Sequence, residues 1–321
     1  MNFILNKKNL LNQRKIWQIF FLILFIALTG HAQTRTPKFC VDISQFRFND
    51  KAVYLEIYYN ISRNSLTFQQ HNSAMKSYCQ ILTFVVENST FEDSLCHYDK
   101  EKEKIVPNDK RKLRVTPLDT LFLEDEISES DSIMAFDKLV EQNSAKIREG
   151  YYELIVVLKD LVSKQIAIVQ RSVEARPFSA EGLQLSDIEL AYSIAKIKTD
   201  STKFDKWGYR IFPSSCLEFG SGFPKIYIHC EIYGLTCIRK PSVYSFDIHY
   251  LIRNSSGKIV KKESSWNMES DSKYVFVNGN FEVNDLPPGI YRLELEVEDN
   301  KSGKKARASK AFYIAQNSAW E

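Results

Sequence analysis

Two stretches of this sequence repeat each other, and the repeat restricts the possible fold more than any other feature. Residues 150–163 read GYYELIVVLKDLVS, and residues 289–302 read GIYRLELEVEDNKS. The two stretches align without gaps and share a Gly, a Tyr, a Leu, an Asp and a Ser. A match of this kind predicts that one structural module occurs twice in the chain.

The second copy has the alternation of a β-strand with one buried and one solvent-facing side. One face carries Tyr291, Leu293, Leu295 and Val297, and the other carries Arg292, Glu294, Glu296 and Glu298. Residues 299–303 then predict a hairpin loop, with 305–314 as the partner strand. A Tyr that follows a turn and enters a late strand is typical of the tyrosine corner of immunoglobulin-like sandwiches, and Tyr152 and Tyr291 both fit. We therefore predict an all-β protein with two tandem immunoglobulin-like β-sandwich domains.

Further matches extend the repeat and suggest domain boundaries. Residues 53–59 resemble 226–233, and residues 78–88 resemble 244–254. We predict a first sandwich domain over 33–178, with an insertion near 89–149. A second sandwich domain is predicted over 179–321, beginning with the LSDIELA segment at 185–191.

The first 32 residues have the composition of a signal peptide. Basic residues come first (Lys7, Lys8, Arg14 and Lys15), followed by an apolar run over 16–28 that is short for a membrane span. Gly30-His31-Ala32 then offers a small-x-small cleavage site before Gln33. We predict cleavage and export to the periplasm or the cell surface, with no stable membrane span afterwards. An uncleaved anchor is the alternative.

Charge argues against a nucleic-acid partner. The whole chain has 43 Lys and Arg against 40 Asp and Glu, a formal net charge of +3. The predicted signal peptide holds basic residues and no acidic ones, so the remaining chain is close to neutral. The basic excess that nucleic-acid binding requires is missing.

Six cysteines divide evenly between the predicted domains. Cys40, Cys79 and Cys96 fall in the first, and Cys216, Cys230 and Cys237 fall in the second. Three per domain cannot all pair within a domain, and an oxidising compartment permits disulfides. Cys79 and Cys230 lie inside strand patterns, where a buried thiol and a disulfide partner are both compatible with the sequence. No C-x-x-C motif occurs.

No catalytic residue, cofactor-binding residue, metal ligand or cofactor is predicted. The histidines after residue 32 are His71, His97, His229 and His249, and none has the spacing of metal ligands on a helix. His229 and His249 alternate with apolar strand residues, which predicts that they lie on exposed faces. Acidic residues at 124–131 favour a solvated loop over a Ca²⁺ site, because their spacing is not that of an EF-hand. The basic run 110–114 favours a solvated hairpin tip.

The two copies differ on the face that should be wet. Ile155 and Val157 occupy the positions of Glu294 and Glu296. Burying such side chains is worth about 1.5–3 kcal/mol each, so we expect the insertion to cover them. A helix over 131–147 would present Ile133, Phe136, Val140 and Ile147 as its apolar stripe. A strand over 133–140 is the alternative.

An ordered set of segments resembles a known family. The segments are 185–191, 208–215, 227–235 and 286–291, together with the opening Val41-Asp42-Ile43-Ser44-Gln45-Phe46-Arg47. In this order they resemble the N-terminal β-sandwich region of exported bacterial proteins of the GWxTD-domain family. The resemblance covers nearly all of the chain after the signal peptide. The Gly-Trp-x-Thr-Asp domain itself is absent from the sequence, so functions that reside in that domain do not carry over.

Composition and motifs together favour a binding protein over an enzyme. We expect a non-enzymatic interaction module of the cell envelope whose partner is an envelope or extracellular protein or a glycan. The alternative is a hydrolase or hydrolase accessory protein with dispersed active-site residues. A pocket that holds two of the histidines or of Asp42, Glu56, Asp187, Glu189 and Glu231 would favour the hydrolase. A flat aromatic strip, for instance Tyr54, Tyr58, Tyr227 and Tyr233, would favour protein or glycan binding.

Overall fold

The computed structural model describes residues 36–88, 95–109, 112–127, 138–176, 178–179, 181–198, 201–220, 222–239 and 243–315. Apart from one 3-10 turn at Arg63–Ser65, every regular element in these residues is a β-strand. The all-β prediction is therefore confirmed. The predicted signal peptide and its cleavage site lie outside the described residues. Among the described residues, no helix is long and apolar enough to cross a membrane.

Eleven strands precede residue 176. They are β1 (Phe39–Asn49), β2 (Ala52–Ser62), β3 (Gln69–His71), β4 (Ala74–Asn88), β5 (Cys96–Asp99), β6 (Lys104–Pro107), β7 (Val115–Pro117), β8 (Leu121–Ile127), β9 (Lys138–Arg148), β10 (Gly150–Asp160) and β11 (Ile166–Ala175).

Twelve further strands follow. They are β12 (Gln184–Leu185), β13 (Glu189–Lys196), β14 (Asp205–Lys206), β15 (Tyr209–Pro213), β16 (Glu218–Phe219), β17 (Lys225–Tyr233), β18 (Cys237–Arg239), β19 (Val243–Asn254), β20 (Ile259–Ser270), β21 (Val275–Glu282), β22 (Gly289–Asp299) and β23 (Lys305–Ile314).

The first sandwich pairs a three-stranded sheet with a larger one. The smaller sheet has the order β1-β2-β9, and the larger sheet contains β11-β10-β4, with β8 and β7 on the far side of β4. Alternate residues of β2 and β10 fill the core between the sheets, including Leu55, Ile57, Leu154 and Val156. This is the arrangement of an immunoglobulin-like sandwich.

The second sandwich repeats this order. Strand β17 lies between β13 and β21, and the facing sheet contains β23-β22-β19 with β20 beyond β19. Its core includes Ile228, Ile248, Leu293, Leu295 and Val297. The alternation predicted for residues 291–298 is confirmed, because Tyr291, Leu293, Leu295 and Val297 are buried while Arg292 and the three glutamates face outward.

The residues shared by the two repeated strands have matching structural roles. The hydroxyl of Tyr152 donates to the carbonyl oxygen of Arg148 (3.1 Å), and that of Tyr291 donates to the carbonyl oxygen of Pro287 (2.7 Å). Both are tyrosine corners. At the other strand end, Asp160 Oδ2 accepts the backbone N–H of Thr67 (2.9 Å), and Asp299 Oδ2 accepts that of Thr236 (2.8 Å). Each aspartate thus fastens a neighbouring loop to its hairpin.

The cover over Ile155 and Val157 is confirmed, but its structure is not helical. Both side chains are completely buried, and they share a small core with Cys96, Tyr98 and Val86. Cys96 and Tyr98 belong to the β5–β6 hairpin, which is part of the insertion. The second sandwich has charged residues at the matching positions and needs no such cover.

The helix proposed over 131–147 is wrong where the structure describes it. Residues 138–148 form the edge strand β9, which pairs along its whole length with β2. Val140 and Ile147 therefore belong to a strand, while Ile133 and Phe136 lie outside the described residues. The decisive interaction is the long-range pairing with β2, which no local pattern records.

The acidic run at 124–131 is also not a loop where it is described. Residues Glu124–Glu126 lie in β8, and Lys76 on β4 forms ion pairs with Glu124 (2.6 Å) and Glu126 (3.0 Å). Asp125 points to the other side and pairs with Arg63 (2.7 Å). These carboxylates are neutralised by cross-strand cations. Residues 129 and 131, and residues 110–111 of the basic run, lie outside the described residues.

Candidate functional site

The outer face of the β1-β2-β9 sheet is covered by the second sandwich. On β2, the outward-facing side chains of Glu56, Tyr58 and Asn60 are almost completely buried. A disulfide between Cys40 on β1 and Cys216 after β15 joins the two sandwiches covalently. Two hydrogen bonds add to it: the Gln45 backbone N–H donates to the side-chain Oδ2 of Asp187 (3.0 Å), and the Asp187 backbone N–H donates to the Gln45 carbonyl oxygen (3.1 Å). The two sandwiches form one compact unit over 36–321.

An ionic cluster lies at the centre of this interface. Lys206 on β14 contacts Glu56 Oε2, lies 2.6 Å from Glu189 Oε2, and lies 3.1 Å from the hydroxyl of Tyr58. The Tyr58 hydroxyl in turn donates to Glu56 Oε2 (2.6 Å), and the ammonium lies 4.5 Å from the ring centre of Phe46. Glu56 and Tyr58 come from the first sandwich and Lys206 and Glu189 from the second, so the cluster connects the two.

Charge in the cluster is unequal, since two carboxylates face one ammonium. Burial opposes the charged form of Lys206, but Glu189 and Glu56 outweigh it and raise the pKa of Lys206. Burial raises the pKa of Glu56, and the attraction of Lys206 offsets only part of that rise. Because two carboxylates depend on one ammonium, removing Lys206 should lower the stability of the folded protein far more than removing the charge of one glutamate.

The same hairpin that buries Lys206 exposes a tryptophan. Trp207 and Gly208 connect β14 to β15 and have φ angles of +52° and +84°, as in a two-residue type I′ turn. Asn, Asp and Gly are the residues that such a turn favours, and a bulky side chain in this conformation is strained. Trp207 is nevertheless found there, with 49% of its surface exposed.

Three aromatic rings come together at this turn. The ring of Trp207 lies nearly parallel to that of Tyr274 (centroids 5.9 Å apart, 22°) and to that of Phe276 (6.3 Å, 14°). Tyr274 precedes β21 and is 62% exposed, and Phe276 is half-buried in β21. We call these three residues the aromatic platform.

Hydrogen bonds hold the platform in place. The Trp207 indole N–H donates to Glu231 Oε1 (2.7 Å), and the Tyr233 hydroxyl donates to Glu231 Oε2 (2.6 Å). The Tyr233 oxygen also accepts the backbone N–H of Arg47 from the first sandwich (3.0 Å). The orientation of Trp207 is thus fixed through Glu231 to both sandwiches.

A cleft of about 440 Å³ opens beside the platform, between the two sandwiches. It is lined by Phe46, Arg47, Phe48, Tyr54, Glu56, Gln142, Lys203, Asp205, Lys206, Trp207 and Glu231. Its volume is within the range of small-ligand sites, and it combines apolar rings with polar groups. The platform and this cleft together form the candidate binding site.

The carboxylates singled out from the sequence are distributed over the interface. Glu56 and Glu231 line the cleft, and Glu189 belongs to the buried cluster. Asp42 on β1 pairs with Lys310 on β23 (2.7 Å), and Asp187 accepts the N–H of Gln45. Burial raises the pKa of both aspartates. Two of the five, Glu56 and Glu231, therefore share one cleft, which is the condition given above as favouring a hydrolase. Glu56 and Glu189 meet at Lys206, while Asp42 and Asp187 lie in separate contacts between the sandwiches.

The predicted strip of tyrosines is not a flat exposed surface. Tyr58 is buried in the ionic cluster, Tyr54 lies in the cleft with its hydroxyl donating to Ser144 Oγ (2.9 Å), and Tyr233 bonds to Glu231. Tyr227 is half-buried on β17. The exposed aromatic side chains beside the cleft are instead Trp207 and Tyr274, which the sequence analysis missed. The available signal was a Trp-Gly pair in a two-residue turn that usually takes Asn-Gly.

The predicted exposure of His229 is wrong. Its side chain is completely buried, 6.1 Å from the ring of Phe46 and 5.8 Å from that of Phe276. The outward face of β17 is covered by the first sandwich, so its outward residues are not in water. His249, on β19, is half-buried, while His71 and His97 are exposed.

Burial gives His229 a pH effect that can be measured. Burial and the nearby Lys206 lower the pKa of His229 to about 4. Between pH 6.5 and 4 the unfolded chain then binds a proton that the folded chain does not, so this residue costs stability as pH falls. We expect the free energy of unfolding to fall more steeply over this range in the wild type than in His229→Gln, by up to about 1.4 kcal/mol per pH unit. The free energy of unfolding is measured by urea denaturation at several pH values. If it falls with pH equally steeply in both proteins, the buried neutral state assigned to His229 is contradicted.

Of the four cysteines outside the disulfide, Cys79, Cys96 and Cys230 are buried and Cys237 is exposed. Cys79 and Cys230 are buried thiols outside the disulfide, and burial raises the pKa of each to about 12. Cys96 is buried beneath the insertion, where its thiol donates to Glu153 Oε2 (3.2 Å) and its pKa is raised to about 12 by burial and this carboxylate. The three buried thiols resist ionisation, which does not suit a nucleophile.

Within the described residues, one group of side chains is close enough to share a cation. Ligand atoms of His249, Glu296 and Glu298 lie within 4.8 Å of one another on the outer face of the second sandwich. The ammonium of Lys305 lies 3.0 Å from Glu296 Oε1 and 2.9 Å from Glu298 Oε2, and Arg307 also pairs with Glu296. These cations already neutralise both carboxylates.

Comparisons with known proteins leave the family open. No protein-family model and no curated protein match this chain. Among solved structures, a β-glucuronidase of Bacteroides uniformis matches at 10% identity and a TM-score of 0.26, over 82% of this chain and 26% of that chain. The β-glucuronidase of Parabacteroides merdae matches at 10% and 0.24, over 84% and 29%. Escherichia coli alpha-2-macroglobulin activated by porcine elastase matches at 9% and 0.22, over 89% and 22%. This chain thus corresponds to less than a third of each, and likeness at this level says nothing about its activity.

Proposed function

We propose that this chain is an exported, non-enzymatic interaction module of the cell envelope, which binds a protein or glycan at the cleft beside the aromatic platform. In this proposal the chain is located in the periplasm or at the cell surface after cleavage before Gln33, and it is related to the N-terminal region of GWxTD-domain proteins. The disulfide between Cys40 and Cys216 supports export, because such bonds form and persist in oxidising compartments.

One observation carries the binding role. Trp207 is held exposed in a strained backbone conformation, at a turn that would be more stable with Asn or Gly. Local strain that is retained in a structure is commonly associated with function. Exposed Trp and Tyr side chains that are already ordered lose little conformational freedom on binding and supply much of the contact energy of interfaces.

The alternative function, a hydrolase, has a specific observation in its favour. Glu56 and Glu231 line the same cleft, as a pair of catalytic carboxylates would. Their environments favour the binding role, however. Glu56 contacts Lys206 and Tyr58, and both oxygens of Glu231 accept hydrogen bonds from aromatic side chains. Carboxylates engaged in this way are poorly suited to transfer protons or attack a substrate.

Capture from the native envelope tests the proposed function. The purified chain from residue 33 onward is immobilised and exposed to an envelope extract, beside the variants Trp207→Gly and Trp266→Ala. Trp266 is the matched control, because it is exposed (63%) but lies on β20 of the opposite sheet. We expect Trp207→Gly to lose most of the captured material and Trp266→Ala to retain it. Equal capture by all three proteins would contradict the assigned site, and hydrolysis of captured glycan by the wild type, abolished in Glu231→Gln, would favour the hydrolase.

A further inference from the structure

We infer that the ligand of the cleft is an uncharged glycan, with one sugar ring stacked on the aromatic platform and its neighbour in the cleft. This inference rests on the proposed function and narrows it to one class of ligand. Three features of the site carry it: the geometry of the rings, the way they are fixed, and the charge of the cleft walls.

The rings offer a surface suited to a sugar. The face of an aromatic ring carries partial negative charge, and the C–H groups on one face of a pyranose carry partial positive charge. Trp207 and Tyr274 are stacked, with ring planes within 22° of parallel and centroids 5.9 Å apart, and both side chains stay exposed (49% and 62%). The exposed part of this stack offers one apolar aromatic surface of a size that a single pyranose ring can cover. The polar groups of the adjoining cleft can then hydrogen-bond the hydroxyls of the neighbouring sugar.

The platform is also fixed before any ligand binds. On one side of Trp207 in the chain, Lys206 is anchored in the buried ionic cluster, and on the other side Gly208 completes the tight turn. The indole N–H is held by Glu231. A pre-organised surface matters most for weakly bound ligands, because little binding energy is lost in ordering the protein.

The charges of the cleft argue for a neutral ligand. Three cationic side chains and three carboxylates line it, and each has a partner within the protein. Arg47 pairs with Asp50, Lys203 with Glu141, and Asp205 with Arg210. Lys206 pairs with Glu56 and Glu189, and Glu231 binds Trp207 and Tyr233. Each charge is already partly neutralised, so a charged ligand would gain little attraction from the cleft walls, whereas sugar hydroxyls can hydrogen-bond to the same groups as they stand.

The test uses soluble polysaccharides of known charge as probes. Affinity electrophoresis and fluorescence titration compare dextran, mannan and xylan with the anionic polymers alginate and polygalacturonate. We expect binding to at least one neutral polymer, about tenfold or more weaker in Trp207→Gly and in Tyr274→Ala, and unchanged within about twofold in Trp266→Ala. Glycine suits the positive φ at 207, so Trp207→Gly is expected to keep the fold, and its melting temperature verifies this. Binding should also be insensitive to salt, since no ion pair forms.

The outcomes separate this inference from the proposed function. If only the anionic polymers bind, and their affinity falls steeply with salt concentration, the inference that the ligand is uncharged is overturned. Another outcome is that none of these polymers binds, while capture from the envelope extract stays sensitive to Trp207→Gly and is abolished by protease treatment of the extract. That result would overturn the inference of a glycan ligand and indicate a protein ligand at the same site. If capture is itself insensitive to Trp207→Gly, the proposed function fails along with the inference.

Discussion

Replacing Lys206 with methionine is expected to lower the free energy of unfolding by about 3–5 kcal/mol, because it leaves two buried carboxylates facing each other without a cation. Glu56 and Glu189 are both almost completely buried and both contact the Lys206 ammonium. Chemical denaturation of the wild type and the variant at pH 7 measures the effect.

Glu56→Gln is the matched control. The amide preserves the shape of the side chain and removes the excess negative charge of the cluster, so we expect a change of about 1 kcal/mol or less. The pKa of Lys206 is raised above its usual 10.5. Its stabilising contribution is therefore fully present below pH 10.5 and is lost as pH rises through the raised value. Equal destabilisation by Lys206→Met and Glu56→Gln would contradict the assigned charge balance.

Removal of the disulfide is expected to have a comparable effect. Cys40 and Cys216 are separated by 176 positions in the sequence. By the chain-entropy argument, a loop of that length stabilises the folded state by about 5 kcal/mol. The double variant Cys40→Ser/Cys216→Ser should therefore unfold at a markedly lower denaturant concentration than the oxidised wild type.

Reduction provides the control for this variant. A reducing agent should shift the unfolding midpoint of the wild type close to that of the double variant, and it should leave the double variant itself unchanged. A large effect of reductant on the double variant would mean that another disulfide contributes. An unaltered midpoint in the double variant would contradict this prediction and would mean that the non-covalent contacts of the interface suffice without the disulfide.

Local patterns in the sequence were sufficient to predict the two sandwiches. Strand β22 alternates between buried apolar or aromatic residues and charged residues over 291–298, and the Gly, Tyr and Asp that it shares with β10 have specific local roles. The need to cover Ile155 and Val157 could also be predicted, because exposing two such side chains is unfavourable in any fold. These conclusions depend on contacts within one strand or one hairpin.

The interface between the sandwiches could not be predicted in the same way. Glu56, Tyr58 and His229 occupy outward positions, which a single sandwich would leave in water. They are buried only because a second domain, distant in the sequence, docks against them. Their polar side chains are the kind found on an ordinary solvent-exposed sheet face, so the sequence gives no sign of that burial. The helix expected over 131–147 failed for a similar reason, because pairing with β2 overrides local periodicity.

The candidate site was missed because it has no motif. Trp207 and Tyr274 are distant in sequence, and they meet only because the β14–β15 hairpin reaches the start of β21. The one local sign was a tryptophan in a turn that favours asparagine. Violations of local preference of this kind are expected at functional or strained sites, which is why Trp207 is the residue chosen for the tests above.

Hydrogen–deuterium exchange of the chain, with and without the envelope ligand that it retains most strongly, tests the central claim most directly. The claim is that the ligand occupies the cleft and the aromatic platform. The account predicts new protection in peptides covering 203–209 and 273–277, and no change over 259–270, where Trp266 lies. Protection confined to 259–270 or to the β5–β6 hairpin would place the ligand elsewhere and contradict the account.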